Sequence, residues 1–240
     1  MTLTKKKSEK KVEDIVESKT NFDFVKQLDA IYIIGRGGSA INCPEKKPDN
    51  AEYWVANDLF KLREPDRIFI MHDLYITQFN YDRELIKKLN EMEKPVYTLG
   101  AYSELKNNVL YPISDVISEF DLAYFLNTAS YMLALAITQR PKKIMLFGID
   151  MSMGSGQEYM RNEKACLEHW IGVAVGRGIN VQITPQTQML KRKDRENFYG
   201  MKEIKPDKPE DPTRLAPIFV SGCSEKCAAK YQLVRKSIVL

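Results

Sequence analysis

The residues that could do chemistry in this chain stand singly behind short apolar runs. Ala30-Ile31-Tyr32-Ile33-Ile34 leads into Gly35-Arg36-Gly37-Gly38-Ser39. Glycines behind a buried strand let the backbone turn sharply and aim successive N–H groups at an anion. Arg36 adds charge there and Ser39 a hydroxyl. The fragment is neither G-x-G-x-x-G nor a P-loop, which requires G-K-[ST], so an ordinary tight turn competes with phosphate binding. His72 and Asp73 follow the run Arg67-Ile68-Phe69-Ile70-Met71. A histidine so placed suits general-base work, with Asp73 as a second carboxylate candidate, and equally suits a hydrogen-bonded strand end. Asp150 closes the run Ile144-Met145-Leu146-Phe147 after Gly148-Ile149. It is a catalytic candidate that can orient a sugar hydroxyl, a ribose or a base, and it equally suits a helix or turn cap. Asn57 and Asp58 follow Tyr53-Trp54-Val55-Ala56.

Two further segments complete the set. Asn127-Thr128-Ala129-Ser130 opens an apolar helical stretch, where an N-cap and an anion site on free N–H groups are compatible readings. Met151 to Tyr159 is a Gly-containing stretch of lid-like composition, and Tyr159 and Arg161 at its far end could close over a phosphate. No D-x-D or E-x-D pattern follows a strand. No metal site is therefore expected.

These residues need a scaffold that brings strand ends together. The apolar runs at 30–34, 53–56, 67–71, 96–99, 144–147 and 181–184 read as strands buried on both faces. Helical patterns lie between them at 83–92, 128–138 and 162–177, the last carrying Cys166, Trp170, Val173 and Ala174 on one stripe and ending at Gly178. Alternation of this kind predicts an α/β, Rossmann-like fold, a mostly parallel sheet with helices on both faces, plus a C-terminal extension. In such sheets ligands sit beyond the carboxyl ends of the strands, near the point where strand order reverses. Residues 12–28 read as a helical lead-in. Residues 202–217 are charged and Pro-rich, as in a linker, and Ile218 to Leu240 reads as a strand plus helix. The expected organisation is a basic arm over 1–20, a Rossmann-like domain over 21–200 and an extension over 201–240.

Composition bounds the function. The chain has 240 residues, 44% hydrophobic and 28% charged, with a net charge of +4. Collagen-like, disulfide-scaffold and wholly disordered classes are excluded. No apolar run approaches the ~20 residues of a membrane span. The start lacks a signal-peptide core, so a cytoplasmic location is expected. Lys5, Lys6, Lys7, Lys10 and Lys11 against Glu9 account for the whole net charge, leaving 31 basic and 31 acidic residues in 12–240. Basicity is thus a property of the arm, which can touch phosphate or remain a solvated leader. The four cysteines read as reduced thiols, and Cys223-x3-Cys227 lacks the further ligands of a closed zinc site.

The stretch Asn127 to Tyr159, NTASYMLALAITQRPKKIMLFGIDMSMGSGQEY, resembles the bacterial sialyltransferases of the Campylobacter lipooligosaccharide type. These carry T-S-G-x-Y-M, an apolar helix, a strand, G-I-D and a Gly/Ser loop ending in Tyr. Their G-N-G-P-S corresponds to Gly35–Ser39, and their C-N-x-F to Ala56-Asn57-Asp58-Leu59-Phe60. MptE-like proteins share the layout, and so do phage-encoded proteins with the pattern of Glu158 to Ile179. The resemblance implies a glycosyltransferase-A-like variant that works without metal or tightly bound cofactor on a CMP- or UDP-linked sugar. By position, Gly35, Gly37 and Ser39 would approach the phosphate, Asn57 the nucleotide or sugar, Thr128 and Ala129 the nucleotide, and Tyr159 the phosphate. The acceptor would be a glycan or a modified DNA base, and a homo-oligomer is compatible. The family's general-base histidine has no counterpart between the G-I-D loop and the final helix. Diphosphate transfer from ATP, and a nucleotide-binding accessory role without turnover, therefore stand beside sugar transfer.

Overall fold

The computed structural model describes residues 27–74, 83–151 and 157–190, together with a two-residue strand at 216–217. The basic arm, nearly all of the lead-in over 12–28, the centre of the Gly-containing loop and both C-terminal cysteines lie outside the described residues. So does most of 201–240.

Eight strands form one sheet: β1 (Ala30–Ile34), β2 (Ala51–Ala56), β3 (Arg67–Ile70), β4 (Val96–Thr98), β5 (Asn108–Leu110), β6 (Lys143–Phe147), β7 (Asn180–Ile183) and β8 (Ala216–Pro217). Their spatial order is β5-β4-β3-β2-β1-β6-β7-β8. All pairings from β5 to β7 are parallel, and β8 joins β7 antiparallel. The chain runs outward from β1 to β5 and then returns to lay β6 on the other side of β1. Strand order therefore reverses between β1 and β6, and the α/β Rossmann-like architecture expected from the alternating pattern is present.

β1 reads AIYII and is buried at all five positions because it lies between two neighbours with layers on both faces. One face presents Ile31, Ile33, Trp54, Ala56, Phe69, Ile144 and Leu146. It is covered by α2 (Ile113–Phe120), α3 (Thr128–Thr138) and α4 (Gln157–Gly176). The other face presents Tyr32, Ile34, Tyr53, Val55, Ile68, Ile70 and Phe147 against α1 (Arg83–Glu91), whose Leu89 is fully buried. Helix α3 has no polar stripe, since it is packed between the sheet and α4; every residue but Tyr131 is buried. Helix α4 stops as anticipated: Gly178 takes φ +79° and the Ile179 N–H reaches back to the Ala174 carbonyl at 3.0 Å.

Helix α3 fixes the geometry of the site. Its C-terminal end meets the start of β1, where the Gln27 side chain donates to the Arg140 carbonyl (2.9 Å) and Lys142 N–H to Leu28 (3.1 Å). Eleven helical residues span ~16 Å, about the length of a five-residue strand. Packed across β1, β2 and β3, the helix therefore points its N-terminus to their carboxyl edge.

Candidate functional site

Three adjacent strand ends lie at this edge, and the start of α3 is directed to it. Arg36 follows β1, Asp58 follows β2 and His72 follows β3. The Arg36 guanidinium donates to Asp58 Oδ1 at 2.7 Å, and Lys61 lies 3.7 Å from the other oxygen. Burial disfavours the charged form of Asp58, yet the hydrogen bond and charge of Arg36, with Lys61 behind them, outweigh it and hold its pKa below the usual carboxylate value. His72 is lowered too, which favours its neutral form: burial, then the positive charge of Arg36, pushes it below its ordinary 6.5. Its imidazole is neutral at pH 7 and can accept a proton. Asn57 sits in the left-handed region at φ 57°, with its N–H bonded to the Phe69 carbonyl, which turns the chain at the end of β2. Asp73 is exposed and accepts from the Tyr102 hydroxyl at 3.2 Å, while that hydroxyl accepts from Leu74 N–H.

At the start of α3, Asn127 and Ser130 form a capping box. Asn127 Oδ1 accepts from Ser130 N–H at 2.9 Å, and Ser130 Oγ faces Asn127 N–H at 3.4 Å. The box consumes only part of the helix's free donors. Among the described residues nothing accepts from the N–H groups of Thr128 and Ala129, or from the buried Asn127 Nδ2. Both N–H groups belong to buried residues.

The glycine turn differs from the phosphate cradle that its composition suggests. Gly35 N–H is spent on the Phe147 carbonyl (2.8 Å), Gly37 N–H on Gly148 (2.7 Å), and Ser39 N–H on Asp150 Oδ2 (2.8 Å). The Ser39 hydroxyl donates to Asp150 Oδ1 and accepts from Gly148 N–H (2.8 Å) and the Thr184 hydroxyl (3.0 Å). Asp150 is 6% exposed. Its carboxylate thus caps the short 3-10 turn Gly38–Asn42 and occupies the place where an incoming anion would sit. Only the Arg36 and Gly38 N–H groups of this turn are uncommitted among the described residues. The crevice between β1 and β6 is filled by this Ser39–Asp150–Thr184 cluster.

Arg36, Asn57, Asp58, His72, Asp73 and the Asn127–Ser130 start share the carboxyl edge of the sheet. Gly35, Gly37, Ser39 and Asp150 form the buried knot beside it, and exposed Gly38 lies at its rim. Arg161 is exposed on α4. The Tyr159 side chain lies outside the described residues. Cys43 and Cys166 are buried free thiols; burial, only partly opposed by Arg63, raises Cys43 to about 11. No cluster of three His, Cys, Asp or Glu side chains suited to a metal occurs among the described residues, nor does a helix long and apolar enough to cross a membrane. Sequence reasoning missed Thr184 and Thr187, whose hydroxyl donates to the Ile149 carbonyl at 2.7 Å. Their one signal was position, directly behind β7 at the same edge.

No protein-family model matches the chain, and neither does any curated protein. Among solved structures, it is similar to the sialyltransferase CstII from Campylobacter jejuni in complex with the substrate analogue cytidine-5'-monophosphate, at 15% identity over 85% of this chain and 99% of that chain, with a TM-score of 0.43. The monofunctional α-2,3-sialyltransferase Cst-I from Campylobacter jejuni shares 15% identity over 89% of this chain and 96% of that one, TM-score 0.43. Thiamine pyrophosphokinase from Bacillus subtilis shares 12% over 64% and 59%, TM-score 0.37.

Proposed function

We propose that this chain is a glycosyltransferase acting on a nucleotide-linked sugar at the carboxyl edge of β1–β3, without need of a metal ion. One observation carries the reading. The α3 N-terminus, with two uncommitted N–H groups and a buried unpaired amide, shares that edge with a guanidinium and a neutral histidine. The helix N-terminus supplies donors and positive dipole for one phosphate. Arg36 is 66% exposed in its pair with Asp58, and an exposed pair is worth only ~0–1 kcal/mol, so a phosphate can draw the guanidinium away. With Asp150 filling the glycine turn, the anion is received at α3 and Arg36 instead. That arrangement suits a CMP-linked donor better than a diphosphate-linked one.

The chemistry follows. An acceptor hydroxyl gives its proton to His72 as its oxygen bonds to the anomeric carbon. The bond from that carbon to the phosphate oxygen breaks, and the electron pair leaves with the nucleotide, where the N–H groups and Arg36 meet the growing charge. Asp150 is not the base, since its carboxylate is buried against Ser39. Asp73 is exposed, and in this reading it contacts the acceptor. The acceptor is a glycan hydroxyl or a hydroxylated DNA base.

Melting curves with CMP, UDP, GDP and ATP, each with EDTA or Mg²⁺, test the reading. A shift with CMP or UDP that survives EDTA, together with loss of transfer in His72→Ala, is expected. A shift confined to ATP plus Mg²⁺ would overturn sugar transfer in favour of diphosphate chemistry. Nucleotide binding without turnover of any supplied nucleotide sugar would favour the accessory role.

A further inference from the structure

We propose that Asp150 is a positioning residue that holds Arg36 in place for the donor phosphate; the proposal rests on the nucleotide-sugar reading. The carboxylate touches no substrate in that reading. It acts through the turn that carries Arg36. Two contacts pin the turn on either side of that residue. Gly35 is tied to the Phe147 carbonyl, while Gly37 is tied to the Gly148 carbonyl. Three residues beyond Arg36, the Ser39 N–H and hydroxyl both donate to Asp150. A side chain at Gly37 would lie 2.5 Å from Asp150 Oδ2, so the carboxylate is also the surface on which the turn rests. Asp150 is held in turn from outside, as Gln188 N–H donates to its carbonyl at 2.7 Å. Arg36 thus leaves the sheet from a clamped backbone, although its own side chain is mostly solvent-exposed.

The carboxylate cannot be replaced by its amide. Ser39 Oγ already accepts from Gly148 N–H and the Thr184 hydroxyl, so its one proton must go to residue 150. Ser39 N–H also needs an acceptor there. Asn offers one oxygen and turns its NH₂ group toward the second donor.

The test is a binding cycle. CMP and UDP are titrated into wild type, and the tighter of the two is then titrated into Asp150→Asn, Arg36→Ala and the double variant, each melted in parallel. Asp150→Asn and Arg36→Ala should each weaken nucleotide binding about tenfold, the scale of one charge-assisted hydrogen bond. The double variant should bind no worse than Arg36→Ala alone, while Asp150→Asn lowers Tm equally in both backgrounds. A role confined to folding predicts instead the same factor lost with and without Arg36, and that result overturns the proposal. If Asp150→Asn does not yield folded protein, Ser39→Ala replaces it in the same cycle under the same criterion. Absence of binding by wild type to either nucleotide overturns the nucleotide-sugar reading, and the role of Asp150 with it.

Discussion

Alanine at Gly37 distinguishes a turn packed on its own carboxylate from one left open for a ligand. Gly37 has φ −68° and ψ 161°, ordinary values for any L-residue, so backbone strain plays no part. The effect is steric. A Cβ there would lie 2.5 Å from Asp150 Oδ2 and 2.9 Å from the Gly148 carbonyl oxygen. Neither neighbour can give way cheaply: the carbonyl holds Gly37 N–H, and the carboxylate holds both Ser39 donors. Overpacking of this kind costs ~1–3 kcal/mol. A carboxylate pushed off its donors while still buried adds roughly 1–3 kcal/mol. With ~4 kcal/mol as the central value of the sum, Tm falls by roughly 8–16 °C in a chain of this size. The next residue supplies the control. A Cβ on Gly38 would lie 4.0 Å from the same oxygen, an ordinary contact, so Gly38→Ala should shift Tm by no more than about 2 °C. Thermal melts followed by circular dichroism on wild type and both variants read this directly. Equal losses in the two variants, or a larger one in Gly38→Ala, would refute the packing argument.

In kinetics of sugar transfer, the acid limb of kcat/KM should fall below pH 6.5, because burial and then Arg36 depress the pKa of His72. Arg36→Met removes the repelling charge and should move that limb upward; a limb that stays or moves to lower pH would count against His72 as base. The same depression has a stability consequence of defined sign. As pH falls below 6.5 the unfolded chain takes up the proton first, so His72 withdraws stability there, and His72→Gln should flatten that part of the urea-midpoint profile. Trp170 is fully buried, stacks on Phe125 at 5.4 Å and donates its indole N–H to the Tyr124 carbonyl at 2.7 Å. Trp170→Ala should cost ~3–5 kcal/mol in denaturant unfolding and Trp170→Phe much less; equal costs would show that the ring's volume is not what matters.

Much of the fold was readable because burial on both faces leaves a strong trace. β1 and β6 are continuous apolar runs, and their limits match within a residue. α3 was equally plain as an apolar stretch behind Asn127. β5 and α2 escaped notice, the first for a physical reason. β5 is three residues at the sheet's outer edge with none buried, and Leu110 is 57% exposed. An edge strand supported from one side needs no apolar run. α2 starts behind Pro112 with no side-chain cap, but Ile113, Val116, Ile117 and Phe120 fall at i, i+3, i+4 and i+7, a helical stripe that was present in the sequence and was passed over.

The candidate site was legible in place but not in allegiance. Order reversal directs attention to the carboxyl ends of β1, β2, β3 and β6, since topology alone fixes that edge. Which polar group pairs with which is decided by contacts across 109 to 145 residues of sequence, as in the bonds of Ser39 to Gly148, Asp150 and Thr184. A glycine-rich turn looks the same in sequence whether its N–H groups await an external anion or already hold an internal one. Asp150 is that internal anion, and its presence moves the free positive potential one strand outward, to Arg36 and the start of α3. The same displacement explains His72. A histidine at the end of β3 would be remote from a ligand seated between β1 and β6, but it is within the electrostatic reach of Arg36. Filling the crevice with Asp150 is therefore what leaves the β1–β3 edge, with its guanidinium, its imidazole and its helix start, as the place for the proposed reaction.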